Sequence, residues 1–164
     1  MGDAGDVPEV RPPTIDDIRR ICRALDEAGA RYVLIGGFAV ILHGGLRTTK
    51  DIDLLVDPEP ANVERLKRAL SVLEDDAARE IDPGDLRKYA VVRVADEVLV
   101  DLLAAACGVT WSDAQSSAVR MDLEGTPVLV ADVDTLIRTK RTVRPSDAAD
   151  RAWLESLRED ERGR

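Results

Sequence analysis

The stretch from Tyr32 to Val56 constrains this chain more than any other. An apolar run, Tyr32 to Ile35, ends in the pair Gly36-Gly37. A short helix-like segment, Phe38 to Leu42, follows and is stopped by His43-Gly44-Gly45, and the basic turn Arg47-Thr48-Thr49-Lys50 leads into Asp51-Ile52-Asp53-Leu54-Leu55-Val56. In a strand, residues two apart share a face. Asp51 and Asp53 therefore stand side by side, with Ile52 and Leu54 on the core side. Two neighbouring carboxylates repel unless a cation neutralises them, and the cation suited to oxygen-only ligands beside a phosphate site is Mg²⁺. Gly36 and Gly37, between a strand and a helix and with Gly37 14 residues before Asp51, let the backbone approach a triphosphate whose oxygens face the amides of the helix start.

A further carboxylate, Asp101, interrupts the apolar run Val98 to Leu103. A lone Asp there is unfavourable unless paired or ligated. Asp96 and Glu97 sit in the turn before it and are weaker candidates. Arg47 and Lys50 either contact phosphate or pair with nearby carboxylates. A second basic cluster, Arg138, Lys140, Arg141 and Arg144, is either a phosphate-binding surface or a helix end favourably placed against its dipole. His43, the single histidine, reads as a helix-end residue.

The remaining pattern gives an α+β layout, a mixed sheet with helices at its ends. Residues 1–13 read as a flexible tail and 14–160 as one domain, with the sheet over about 31–131 and C-terminal helices over about 132–160. Thr14 and Asp17 form a near capping box for a helix that Gly29 ends. A helix runs from about Pro60 to Glu74. Tyr89–Ala95 and Val98–Leu103 read as a hairpin about Asp96-Glu97, and Val119–Leu123 and Val128–Ala131 as a second about Glu124-Gly125. Trp111–Ala118 reads as a short helix. Asp132 or Asp134 caps a helix through about Arg141, and Pro145 opens the last one.

A chain of 164 residues with 45% hydrophobic content is long enough for a real core. No apolar run approaches a membrane span, and the acidic N-terminus lacks the apolar segment of a signal peptide, so a cytoplasmic location is expected. Cys22 and Cys107, the two cysteines, read as buried thiols in a reducing compartment. The net charge of −9 argues against nucleic acid binding over the whole surface, but not against a local basic face.

Together, Gly-Gly-x-Ala, His-Gly, Arg-x-Thr and Asp-Ile-Asp resemble the DNA-polymerase-beta-like nucleotidyltransferases, most closely the small bacterial branch of abortive-infection (AbiEii-type) toxins. The resemblance covers roughly Arg31 to Leu154. It implies a palm-like mixed sheet and transfer of a nucleotidyl group from an NTP such as ATP, with release of pyrophosphate. Asp51, Asp53 and Asp101 would hold one or two Mg²⁺, and Asp101 would help draw the proton from the attacking hydroxyl. The toxin-like branch has a Lys followed by Arg-Pro-x-Asp and a further Asp. By that likeness Lys140 would meet the nucleotide phosphates, with Asp147 or Asp150 orienting it, alongside Gly36, Gly37 and Arg47. Gly37 stands where the superfamily often has Ser, so backbone contacts must serve there. The implied acceptor is RNA, such as a tRNA 3′ end tracking the Arg138–Arg144 patch, in a toxin–antitoxin setting that brings a cognate antitoxin as partner. The rival acceptors are an aminoglycoside or lincosamide antibiotic, or a protein. A non-catalytic nucleotide-binding module is the reading of a different class.

Overall fold

The computed structural model describes residues 10–164. Thr14 caps helix α1 (Ile15–Glu27) in a capping box: the Thr14 amide donates to Asp17, and the Asp17 amide donates back to Thr14 Oγ1. Ile18, Ile21, Cys22 and Leu25 are its buried stripe. Strand β1 (Tyr32–Ile35) follows and is buried throughout. Helix α2 (Gly36–Leu42) leads to β2 (Asp51–Val56), which pairs antiparallel with β1. Helix α3 (Pro60–Leu70), a single 3₁₀ turn (Ala77–Glu80) and the short α4 (Asp85–Lys88) precede β3 (Val92–Ala95) and β4 (Leu99–Leu103). A miniature hairpin, β5 (Ala105–Ala106) and β6 (Val109–Thr110), opens α5 (Trp111–Gln115). Strands β7 (Val119–Leu123) and β8 (Thr126–Val130) then lead to α6 (Val133–Thr139) and α7 (Pro145–Arg162).

Six strands form one mixed sheet in the order β3-β4-β2-β1-β8-β7. β2 runs parallel to β4 and β1 parallel to β8, while the β3–β4, β1–β2 and β7–β8 pairs are antiparallel. This is the expected α+β class. The β7–β8 turn is Glu124-Gly125, both with positive φ, 51° and 90°, the backbone that two-residue hairpins prefer. A continuous core of aliphatic side chains from the sheet, α1, α3 and α6 holds the layers together.

Several boundaries differ from the sequence expectation. α3 stops at Leu70, although Leu73 beyond it is still buried. α6 stops at Thr139 rather than Arg141, because Lys140 leaves helical geometry and turns into the interior. Of the expected N-terminal tail, residues 1–9 lie outside those described. Just beyond them Arg11 is held in place: its guanidinium spans both oxygens of Asp17 at 2.6 and 2.8 Å, and its amide donates to the Glu97 carbonyl. No described helix is long and apolar enough to cross a membrane.

Candidate active site

Register brings the three sequence-selected carboxylates together. β2 and β4 pair in parallel with Asp53 opposite Asp101, and Asp51 lies two residues earlier on the same face. Asp51, Asp53 and Asp101 each offer an oxygen within 4.8 Å of the others. Beneath them, Gly36 is required by close approach. Its φ is +73°, and a Cβ there would fall 2.1 Å from Asp53 Oδ2. A Cβ at Gly37 would fall 2.7 Å from Thr49 Oγ1. The glycine pair thus accommodates the site's own side chains.

The electrostatics of the triad are unfinished. Burial pushes the Asp53 carboxyl up to about 7, and the charges of Asp51 and Asp101 add to the rise. Asp51 is also raised, by burial first and then by Asp101. Among the described residues no side chain donates a hydrogen bond to Asp53. Arg93 is, among the described residues, the one cation in direct contact with the group: its Nε and Nη2 meet both oxygens of Asp101 at 2.8 and 2.9 Å, and Nη2 reaches Asp51 at 3.3 Å. The bond to Asp101 raises the Arg93 guanidinium above its ordinary range. A converging, oxygen-only set with one carboxylate lacking any donor fits a hard divalent cation.

The opposite wall is compensated. Lys140 is only 5% exposed. Its Nζ lies 2.9 Å from Asp150 and 3.7 Å from Asp147. Asp150 also accepts from Arg47, and Thr142 Oγ1 donates to Asp147 at 2.5 Å. Arg151 donates to the Lys140 carbonyl and so pins the chain segment carrying that lysine.

Gly36, Gly37, Arg47, Asp51, Asp53, Asp101, Lys140 and Asp147 all line one cleft of about 720 Å³, while Asp150 stands behind Lys140. Sequence reasoning missed Arg93, Thr49, Ser146 and the apolar wall of Ala90, Val91, Leu103, Ala105 and Ala106, which line the same cleft. The basic cluster does not form one surface patch. Lys140 is buried, Arg144 faces the cleft, and Arg138 and Arg141 are exposed outside its lining. Cys107 is exposed in the cleft wall, not buried. It occupies a left-handed turn position at φ 49°, and its Sγ contacts the Thr139 carbonyl at 3.3 Å. Cys22 is buried as expected. His43 meets the Ala131 carbonyl at 2.8 Å, away from the cleft.

Comparison with known proteins decides the family. The profile described as "Nucleotidyl transferase AbiEii toxin, Type IV TA system" matches residues 19–149. The chain belongs to this family. It is accordingly an AbiEii-type nucleotidyltransferase of the toxin–antitoxin class. The match spans both carboxylate strands, the glycine pair and Lys140. A crystal structure of a provisionally assigned nucleotidyltransferase from Thermotoga maritima superposes with a TM-score of 0.55 at 15% identity, covering 92% of this chain and 93% of that one. The fold is therefore shared. No curated protein matches the sequence.

Proposed function

We propose that this AbiEii-type enzyme transfers a nucleotidyl group from an NTP to the hydroxyl of an RNA acceptor, with Asp51, Asp53 and Asp101 as the catalytic carboxylates. The observation that carries the reading is the pairing of two unlike walls: three converging carboxylates faced by a buried lysine held by two aspartates. Asp51, Asp53 and Asp101 are the residues to hold Mg²⁺, which would supply charge stabilisation to the attacking and leaving oxygens. Lys140 and the amides after Ile35 are placed for the β- and γ-phosphates, with Arg47 and Arg144 at the same end.

In the step itself, the acceptor oxygen bonds to the α-phosphorus as the bond from that phosphorus to the β-bridging oxygen breaks. The leaving pyrophosphate carries away the bonding electrons. The acceptor proton passes to Asp101, whose carboxylate Arg93 fixes in orientation through both oxygens. The in-line geometry of such displacements places attacker and leaving group on opposite sides of the α-phosphorus.

RNA is favoured as acceptor because the cleft keeps a cation free for a polyanion. Its lining sets Arg47, Arg93, Arg144 and Lys140 against Asp51, Asp53, Asp101 and Asp147. Arg47, Arg93 and Lys140 are ion-paired, whereas Arg144 has no ion-pair partner among the described residues and is available to a phosphate. The family's toxin–antitoxin setting supports the same reading and implies a cognate antitoxin. The test is incubation with total RNA, Mg²⁺ and each labelled NTP. RNA becomes labelled, and labelling falls steeply with salt as phosphate contacts release counterions. Labelling of an antibiotic or a protein with no labelled RNA would move the acceptor to that class.

A further inference from the structure

The acceptor has a side of the cleft to itself. The triad sits on β2 and β4. Everything assigned to the leaving pyrophosphate lies on one side of it: Gly36 and Gly37 follow β1, and Lys140 ends the helix that follows β8. In the strand order β3-β4-β2-β1-β8-β7, those strands lie beyond β2. On the other side only β3 remains, and it is an edge strand. An attacking hydroxyl, which lies across the α-phosphorus from the leaving group, has the β3 side free of those phosphate contacts.

That edge is built unlike the rest of the surface. Ala90, Val91 and Arg93 line the cleft. Val91 is 46% exposed, and Tyr89, just before it, is 55% exposed, in a chain with only two tyrosines, two tryptophans and one phenylalanine. The Lys88 ammonium lies 5.9 Å from the centroid of the Tyr89 ring. Arg93 uses Nε and Nη2 on Asp101 and Asp51, leaving Nη1 without a partner among the described residues. An exposed aromatic ring with an ammonium at one face, two residues before a valine and four before a guanidinium that line the catalytic cleft, matches the chemistry of single-stranded nucleic acid: a base to stack and a phosphate to neutralise. The same cations disfavour a cationic small molecule.

We propose that the lip formed by Tyr89, Val91 and Arg93 seats the unpaired 3′-terminal nucleotide of the RNA acceptor. Its base stacks on the Tyr89 ring and its phosphate lies between Lys88 and Nη1 of Arg93. The inference rests on the RNA reading above and places that RNA at the β3 edge, away from Arg138 and Arg141. Val91 supplies the apolar floor between the stacked base and the triad.

The experiment measures binding of a fluorescent single-stranded oligoribonucleotide to the full chain by anisotropy, and binding of Mg²⁺-NTP in parallel. It uses wild type, Tyr89→Ala, Tyr89→Phe and the double variant Arg138→Gln/Arg141→Gln. Tyr89→Ala weakens RNA binding by about tenfold or more, the range of base–aromatic stacking, and leaves NTP binding unchanged. Tyr89→Phe keeps the ring and restores RNA binding. The double variant binds RNA within about twofold of wild type once salt is raised enough to screen long-range attraction. RNA binding by Tyr89→Ala equal to wild type, with wild type still labelling RNA, overturns the seat and leaves the RNA reading standing. Loss of NTP rather than RNA binding in Tyr89→Ala also overturns it, since the ring would then serve the nucleotide donor. Wild type that neither binds nor labels RNA removes the RNA reading and the seat together.

Discussion

The two walls of the cleft handle charge in opposite ways. On the β2–β4 wall, three carboxylates meet with one arginine between them, and Asp53 is pushed up to about 7 by burial and then by its neighbours. On the α6–α7 wall, Lys140 is buried but satisfied, its ammonium shared between Asp150 and Asp147, and Arg47, which lines the cleft, is also bonded to Asp150. The first wall is short of a cation, whereas the second already carries its own anions. One is built to gain a charge on loading, the other to present a charge whose position is set beforehand. Removing a charge should therefore relieve the first wall and damage the second.

The largest effect is expected at Asp53. Asp53→Asn keeps the shape but withdraws one ligand charge. Turnover should fall by about a thousandfold, given the several kcal/mol a metal contributes to charge stabilisation. Thermal stability without metal should stay the same or rise, because carboxylate repulsion is relieved. Turnover and calorimetry on the same preparation decide the matter: near-normal turnover would remove Asp53 from the site.

Lys140 should behave the other way. From sequence it reads as a helix-end charge, whose removal alters stability by only about 0.3–1 kcal/mol. In the structure it is the buried centre of a network with Asp150, Asp147 and Arg47; removing it leaves Asp150 to Arg47 alone and Asp147 without its cation, at up to about 3 kcal/mol, the lower end for a broken buried pair. Lys140→Met should therefore lose both NTP affinity and stability. Replacing the partners as well, as Arg47→Met/Lys140→Met/Asp150→Leu, should recover part of the stability, since apolar replacement of a buried ionic group as a whole is often near neutral. NTP affinity should not return. Denaturant unfolding with parallel NTP titration separates the two roles. Equal stability of Lys140→Met and wild type would show that the pair carries no weight in folding.

The triad was legible because alternation within one strand, Asp51-Ile52-Asp53, and a single Asp in the apolar run Val98–Leu103 are local signals. Arg93 was not legible, because its place depends on the length of a turn. A two-residue turn at Asp96-Glu97 pairs Ala95 with Val98 and puts Val92 opposite Asp101. The chain instead turns through Asp96, Glu97 and Val98, so Ala95 pairs with Leu99 and Arg93 faces Asp101. A one-residue slip exchanges the faces of a strand, and here it decides whether the triad meets a valine or a guanidinium. The buried Asp96 that shapes this turn accepts from the amides of Asp75, Ala77 and Glu97 at 3.0, 2.9 and 2.7 Å. Two of these donors lie some 20 residues away in sequence, and nothing local announces them. The Lys140–Asp150 pair was within reach because both residues belong to one short stretch, but the burial that makes it structural appears only once α6 packs against α7.

The smallest effect expected is in the pH dependence of stability without metal, and its two windows have opposite sign. At Asp17, burial pushes the carboxyl up, but the Arg11 bond and the Thr14 amide outweigh it and hold the group at about 2. A carboxylate depressed in the folded state stabilises above its unfolded pKa, so this contribution is lost as pH falls from about 4 to about 2. Asp53 is raised to about 7. The folded protein binds its proton more tightly than the unfolded chain does, so its contribution is fully present below pH of about 4 and disappears as pH rises to about 7. Asp51, raised as well, acts in the same direction. Melting temperature in chelator should thus climb from pH 2 to 4 and decline from 4 to 7. In Asp53→Asn the upper decline should flatten while the lower climb persists, because Asp17 lies on α1 outside the cleft lining, joined through Arg11 and Arg20 to Glu97 of the β3–β4 turn. An unchanged decline in Asp53→Asn would show that other carboxylates set that slope, and would break the contrast between the two walls of the cleft.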